Sequence, residues 1–325
     1  MKYYTCANTS AGFVDFTNDN VFDVYNRIKL VCENNYVKSY VLGFLKGEGE
    51  KIISPGSKNL LDGLVFRSKN MAVVSDCESP CRVFDLDRYF DLDTNLDNEF
   101  LYNMFICYAQ AKEIHDEWES IYIKNMDFPR LDKFYNGVIE KLVNSQSVFG
   151  EGKTYKRFFG TVTPAENVNF IDDLTEGIQK RYFIKGRPGT GKSTFLKRLS
   201  AKLKEYGFDE EEYYCSFDSN SLDMVVCREL SFCVFDSTPP HEKFPCRESD
   251  EILDFYVQSG LLGIDEKYEK ELFFVKSAYD FKIKEGKNFF KKAYDLKSER
   301  DKKELSKIRE CELRQIAKNI EGENL

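Results

Sequence analysis

The stretch Gly186-Arg-Pro-Gly-Thr-Gly-Lys-Ser193 is where residue types and spacing most directly dictate a chemistry. It fits the pattern G-x-x-x-x-G-K-[ST] at every position. Glycines let the backbone turn tightly and aim successive N–H groups at phosphate oxygens. A helix opening at that point adds its unsatisfied amides and its dipole to the anion site. Gly186, Arg187, Pro188, Gly189, Thr190, Gly191, Lys192, Ser193 and Thr194 are therefore the expected cradle for a nucleoside triphosphate. Lys192 would reach the β- and γ-phosphates and neutralise charge in the transition state. Ser193 would ligate Mg²⁺ through its hydroxyl. A glycine-rich turn without function is the bland alternative, and it does not explain a lysine beside Ser193.

Such a loop must hang between a strand and a helix. Arg181 to Lys185 reads as a buried strand. Ser193 to Tyr206 reads as a helix with Phe195, Leu196, Leu199, Leu203 and Tyr206 on one face, stopped by Gly207. Glu212 to Phe217 and Leu230 to Phe235 read as further strands. Strands alternating with helices predict an α/β, P-loop NTPase-like core with a mostly parallel sheet. A metal-binding acid is expected at a strand end, and Asp236 supplies it. Asp218 competes for that role, and Asp223 is a third candidate. Asp236 is followed by Ser237 and Thr238, so no water-activating glutamate is visible beside it. The chain has no Asn-Lys-x-Asp run for guanine, which favours ATP over GTP. His241 and Lys243 read as ordinary loop residues.

The chain also repeats itself. Thr9, Ala11, Val14, Phe16 and Arg27 fall on Thr163, Ala165, Val168, Phe170 and Arg181 at an offset of 154 residues. Asn59 to Arg67 matches Asn220 to Arg228 at an offset of 161. Two related units are expected, 1–150 and 151–325, each an α/β core followed by a charged helical hairpin. The seven-residue deficit of the first unit is expected to fall at the phosphate loop, where Lys29 to Tyr36 holds no glycine. The first unit is thus read as having lost its loop. Asp62, the match of Asp223, survives there, which argues for a structural role for Asp223, whereas Asp236 falls on Ser75.

Net charge is −8 and pI about 5.2, which argues against non-specific nucleic-acid binding. Hydrophobic residues make up 42%, enough to bury real cores. No apolar run is long enough for a membrane helix. Met1 to Phe16 has neither a basic n-region nor an apolar h-region, so a cytoplasmic protein without a signal peptide is expected. The ten cysteines have no repeating spacing; the Cys77 and Cys81 pair lacks a second pair, and reduced cysteines are expected. The charged helices read as solvated faces, with docking of a protein partner or self-association as the alternative.

The second unit resembles the poorly characterised bacterial tandem-P-loop ATP-binding proteins, known as ATPases or nucleotide kinases. The shared residues are Phe158-Phe159, Thr163-Pro164, Lys185 to Thr194 and Asp236-Ser-Thr-Pro-Pro-His241. The chain departs from that pattern at Glu166 and Ser237, which stand where the family has glycine, and in the first unit's missing loop. The resemblance implies ATP binding and hydrolysis with Mg²⁺, Lys192 and Asp236 being the catalytic pair. A small-molecule or nucleotide kinase with an acceptor pocket near Asp218 and His241 is one alternative, and a non-catalytic ATP switch for a protein partner is another. An AAA-type motor is disfavoured, since Asp236 lacks a following glutamate and no lid domain with an arginine sensor is visible.

Overall fold

The computed structural model describes residues 1–90, 99–143, 148 and 150–322. The first repeat runs β1 (Lys2–Tyr3), a hairpin of β2 (Cys6–Thr9) and β3 (Gly12–Asp15), α1 (Thr17–Val21), β4 (Asn26–Val31), α2 (Asn35–Phe44), β5 (Glu50–Ile53), β6 (Leu61–Phe66), β7 (Met71–Val74), β8 (Arg82–Asp85), then α3 (Glu99–Ile123) and α4 (Phe128–Val143). The second runs β9 (Thr154–Arg157), a hairpin of β10 (Gly160–Val162) and β11 (Asn167–Asn169), α5 (Ile171–Leu174), β12 (Lys180–Lys185), α6 (Lys192–Glu205), β13 (Glu210–Tyr214), β14 (Leu222–Cys227), β15 (Phe232–Asp236), β16 (Glu251–Asp254), α7 (Phe255–Gln258), α8 (Ile264–Lys267), α9 (Glu269–Leu305) and α10 (Glu310–Gly322). No described helix is long and apolar enough to cross a membrane.

The two sheets share one topology, β1-β5-β6-β7-β4-β8 and β9-β13-β14-β15-β12-β16. Their registers also match. Asn26 faces Met71 as Lys180 faces Phe232, and Glu50 faces Val65 as Glu211 faces Val226. Both break register at equivalent places, after Ile52 and after Tyr213. The internal duplication is thus a duplication of fold. The sheets are mixed, so the expected mostly parallel order holds in part: three of the five strand pairings in each are parallel. β5-β6-β7 and β13-β14-β15 are antiparallel, and the other neighbours are parallel. The short turns Arg67–Asn70 and Arg228–Ser231, with Asn70 and Ser231 at positive φ, can only join antiparallel strands. The segment past Asp250 opens with strand β16 before it turns helical.

The sheets pack face to face. Tyr3, Ile52, Val65 and Val74 of the first meet Phe183, Tyr213, Met224 and Phe235 of the second. A pseudo-two-fold relation passes between Tyr4 and Phe158, which exchange backbone hydrogen bonds of 3.0 and 2.8 Å. Tyr4 stacks on Phe170 and Phe158 on Phe16, as that relation demands. Beside it lies buried Arg157, whose guanidinium reaches Glu50 at 3.2 Å and Glu211 at 3.3 Å. Arg67 and Arg228 hold the outer sides of those two carboxylates.

The hairpins do not hang on their own cores. Leu131, Tyr135, Ile139 and Leu142 of α4 bury against Ile184, Phe195, Leu199 and Phe255 of the second repeat. Leu313, Ile316, Ala317 and Ile320 of α10 bury against Val37, Val41 and Leu42 of the first. Each of the leucines and isoleucines among them contributes about 1.5–3 kcal/mol of burial. The long helices α3 and α9 pack along each other, which carries each hairpin across.

Candidate functional site

Strand β12 delivers the chain to Gly186, and α6 receives it at Lys192. Gly189 and Gly191 sit at φ 75° and 78°, a region that side chains disfavour. Gly191 is the N-cap of α6, and no side chain caps the helix. The apolar face of α6 (Phe195, Leu196, Leu199 and Leu203) is sunk in the core with Tyr182 and Ile184, which anchors that end. Within the loop, the Thr190 hydroxyl donates to the Arg187 carbonyl at 2.7 Å. The Arg187 side chain pairs with Asp265 at 2.7 Å, away from the loop's interior, and Thr194 is exposed.

Lys192 Nζ donates to the Arg187 carbonyl at 3.0 Å and lies 3.6 Å from Asp236. Asp236, at the end of β15, accepts from the amide and hydroxyl of Thr238. Ser193 Oγ accepts the Leu222 amide at 2.9 Å, at the start of β14. The next residue is Asp223, buried, with a carboxyl pushed up to about 8 by burial and by Asp236. Asp223 therefore belongs with Lys192, Ser193 and Asp236, although its match in the first repeat had suggested a purely structural part. Asp218 instead pairs with Lys112 of α3 at 3.4 Å. His241 is a loop residue packed edge-on against Phe159, and burial lowers its imidazole to about 4.

The first repeat corrects the alignment at this point. The offset of 154 runs unbroken through β4 into α2, so Lys38 and Ser39 are the equivalents of Lys192 and Ser193. Ser39 Oγ accepts the Leu61 amide at 2.9 Å, as Ser193 does that of Leu222. The seven-residue deficit falls instead after the loop: from Lys38 the helix α2 runs 7 residues to Phe44, whereas from Lys192 α6 runs 14 to Glu205. What the first repeat lost is the glycines. Without them its loop is wound into helix from Asn35, and Asn34 caps the amides of Tyr36 and Val37. Lys38 is buried and pairs with Asp62, and it donates to Ser75 Oγ at 3.0 Å. Asp62 survives because its lysine survives.

Glu119 and Tyr135 of the first repeat's hairpin lie against the loop of the second, with His115 beside Glu119 and Lys112 paired with Asp218. The Gly189 amide donates to Glu119 Oε1 at 3.2 Å. The Tyr135 hydroxyl donates to the Gly191 carbonyl at 2.8 Å. A Cβ on Gly189 would meet the Glu119 carbonyl oxygen at 2.8 Å, and one on Gly191 would meet Tyr135 Oη at 2.2 Å. His115 lies 3.8 Å from Glu119, its basicity lowered chiefly by burial. Helical periodicity marks these residues only as a polar, partly apolar helix, so the sequence held no signal for them. Comparison of the chain with protein-family models, with curated proteins and with solved structures finds no match in any of the three.

Proposed function

We propose that the chain binds MgATP at the Gly186–Thr194 loop and hydrolyses it, as a one-site P-loop NTPase built from two repeats. The observation that carries this reading is the contrast between the repeats. Where glycines are kept, the start of α6 is left without a side-chain cap beside Lys192; where they are lost, the amides are capped by Asn34. Lys192 would bind the β- and γ-phosphates in place of its contact with the Arg187 carbonyl.

The residues also fit Mg²⁺. Asp223 and Asp236 are neighbouring carboxylates; burial first and the charge of Asp236 second push the Asp223 carboxyl up to about 8, and added local positive charge would lower it. A divalent cation would supply that charge, with the Ser193 hydroxyl and the Asp236 carboxylate as its ligands. When bound, the metal would supply positive charge against the phosphates.

A second reading, an ATP-binding switch without turnover, is favoured by Ser237. It follows Asp236 where a water-activating carboxylate would stand, and its hydroxyl is tied to the Lys243 carbonyl at 2.7 Å. Calorimetry and phosphate release with MgATP, with Lys192→Ala as control and a panel of phosphate acceptors, test both. Binding and turnover lost in Lys192→Ala support the ATPase; acceptor-dependent ADP release turns the reading to a kinase. Binding without turnover leaves the switch. Equal behaviour of wild type and variant removes the loop as the site.

A further inference from the structure

Nothing in the nucleotide reading explains why a carboxylate from the other repeat sits on the loop's own amide. We propose that Glu119 is a displaceable occupant of the phosphate cradle: it holds the Gly189 amide until a nucleotide phosphate takes its place, so that binding drives the end of α3 off the loop. The inference rests on the nucleotide reading of that loop.

The first repeat shows the same contact in a permanent form. The offset of 182 that places Leu131 on Leu313 and Phe134 on Ile316 places Glu119 on Asp301. The offset of 154 places Asn35 on Gly189. The Asn35 amide donates to Asp301 Oδ2 at 3.1 Å, as the Gly189 amide donates to Glu119. A carboxylate from each long helix on the opposite loop is thus a built feature of the architecture, repeated across the pseudo-two-fold.

The two copies differ in how firmly the carboxylate is held. Asp301 is ion-paired with Lys297 at 2.8 Å and with Arg300 at 2.9 Å, and its backbone carbonyl accepts from Asn34 Nδ2. Its side chain is 2% exposed. At the position of Lys297 the other helix carries His115, 3.8 Å from Glu119 and disfavoured in its charged form by burial. Lys112, on the same face about two turns away, is paired with Asp116 and Asp218. The Glu119 side chain is 33% exposed. It therefore accepts a single loop amide without a firm cation partner, and it can be exchanged for a phosphate oxygen, whereas Asp301 cannot. A phosphate and this carboxylate could not share the amide without strong repulsion.

The displacement has a natural reporter. Trp118, the single tryptophan of the chain, is the residue before Glu119 and packs against His115 and Tyr279. MgATP is titrated into wild type, Glu119→Gln, Glu119→Ala and Lys192→Ala, with heat and Trp118 emission recorded together. Removing a competitor that occupies the amide most of the time tightens binding by about tenfold in Glu119→Ala, and by less in Glu119→Gln, which keeps an acceptor. Emission of wild type with MgATP should approach that of nucleotide-free Glu119→Ala and stay unchanged in Lys192→Ala. Wild type binding with all Glu119 variants at equal affinity overturns the inference alone. Unchanged affinity with lost turnover also overturns it and makes Glu119 the water-activating base. If no protein, Glu119→Ala included, binds ATP, the nucleotide reading falls and this inference with it.

Discussion

Lys38 and Lys192 occupy equivalent places, and substitution of each by methionine should have opposite consequences. Lys38 is buried with Asp62 and Ser75, so Lys38→Met leaves the Asp62 carboxylate, itself only 7% exposed, without its cation. Breaking one partner from a buried pair costs about 3–5 kcal/mol. For a chain of this size that is a fall in melting temperature of about 4–7 °C. Replacing both partners by apolar residues, Lys38→Met with Asp62→Leu, should recover most of the loss, since no charge is then stranded. Lys192 lies 3.6 Å from Asp236, a longer and less buried pair than Lys38 with Asp62, so Lys192→Met should cost less, about 1–2 kcal/mol, without nucleotide. Its loss should appear in ATP affinity, weakened about 10- to 100-fold by removal of a charge-assisted contact. Lys38→Met should leave that affinity within about twofold, as no described contact joins it to the loop. Differential scanning calorimetry and ATP titration of the variants provide the readout. A Lys38→Met protein as stable as wild type would refute the buried-pair argument. One that lost ATP affinity as Lys192→Met does would restore a live site to the first repeat.

Glu210 is buried beside Glu212, and burial followed by that neighbour raises its carboxyl to about 7. The folded state thus keeps a proton that the unfolded chain sheds near 4.5, and its contribution to stability declines as pH rises from there to about 7. Glu210→Gln should be less pH-dependent, gaining up to about 3 kcal/mol on wild type at pH 8 relative to pH 4, measured by denaturant titration at each pH. Arg157→Met strips the cation shared by Glu50 and Glu211 between the repeats, so unfolding should become easier by about 3–5 kcal/mol. A stability equal to wild type in urea would show that Arg67 and Arg228 suffice for those two acids.

Local pattern carried the second repeat well. β12, the glycine loop, α6 and the acid at the end of β15 stand where periodicity and residue type placed them, each within a residue or two. The repeat was legible too, because Arg27 and Arg181 begin equivalent strands. The location of the deficit was not. Lys38 and Ser39 lie inside a helix that starts three residues earlier than its counterpart, so nothing around them looks like a phosphate loop. The antiparallel pairings were not legible: Asn220 to Arg228 stands out in the sequence only by its match to Asn59 to Arg67, with nothing to mark β14 as the middle of a meander. The wall around the loop was hidden for a deeper reason. The spacing of Leu131, Tyr135 and Ile139 tells which side of α4 is apolar, but not which of two similar surfaces it will cover.

The crossed hairpins make the linear halves of this chain poor guides to its independent parts. Each core is roofed by a segment encoded in the other, the arrangement of a dimer whose identical chains have exchanged arms and then been joined end to end. Two identical subunits must change together, since every substitution appears in both. A fused pair is free of that constraint. Here one copy has turned its lysine inward as a structural rivet, while the other has kept it at the mouth of an open loop. Asymmetry between Asp301 and Glu119 has the same origin: one arm is welded to its neighbour and the other is only resting on it.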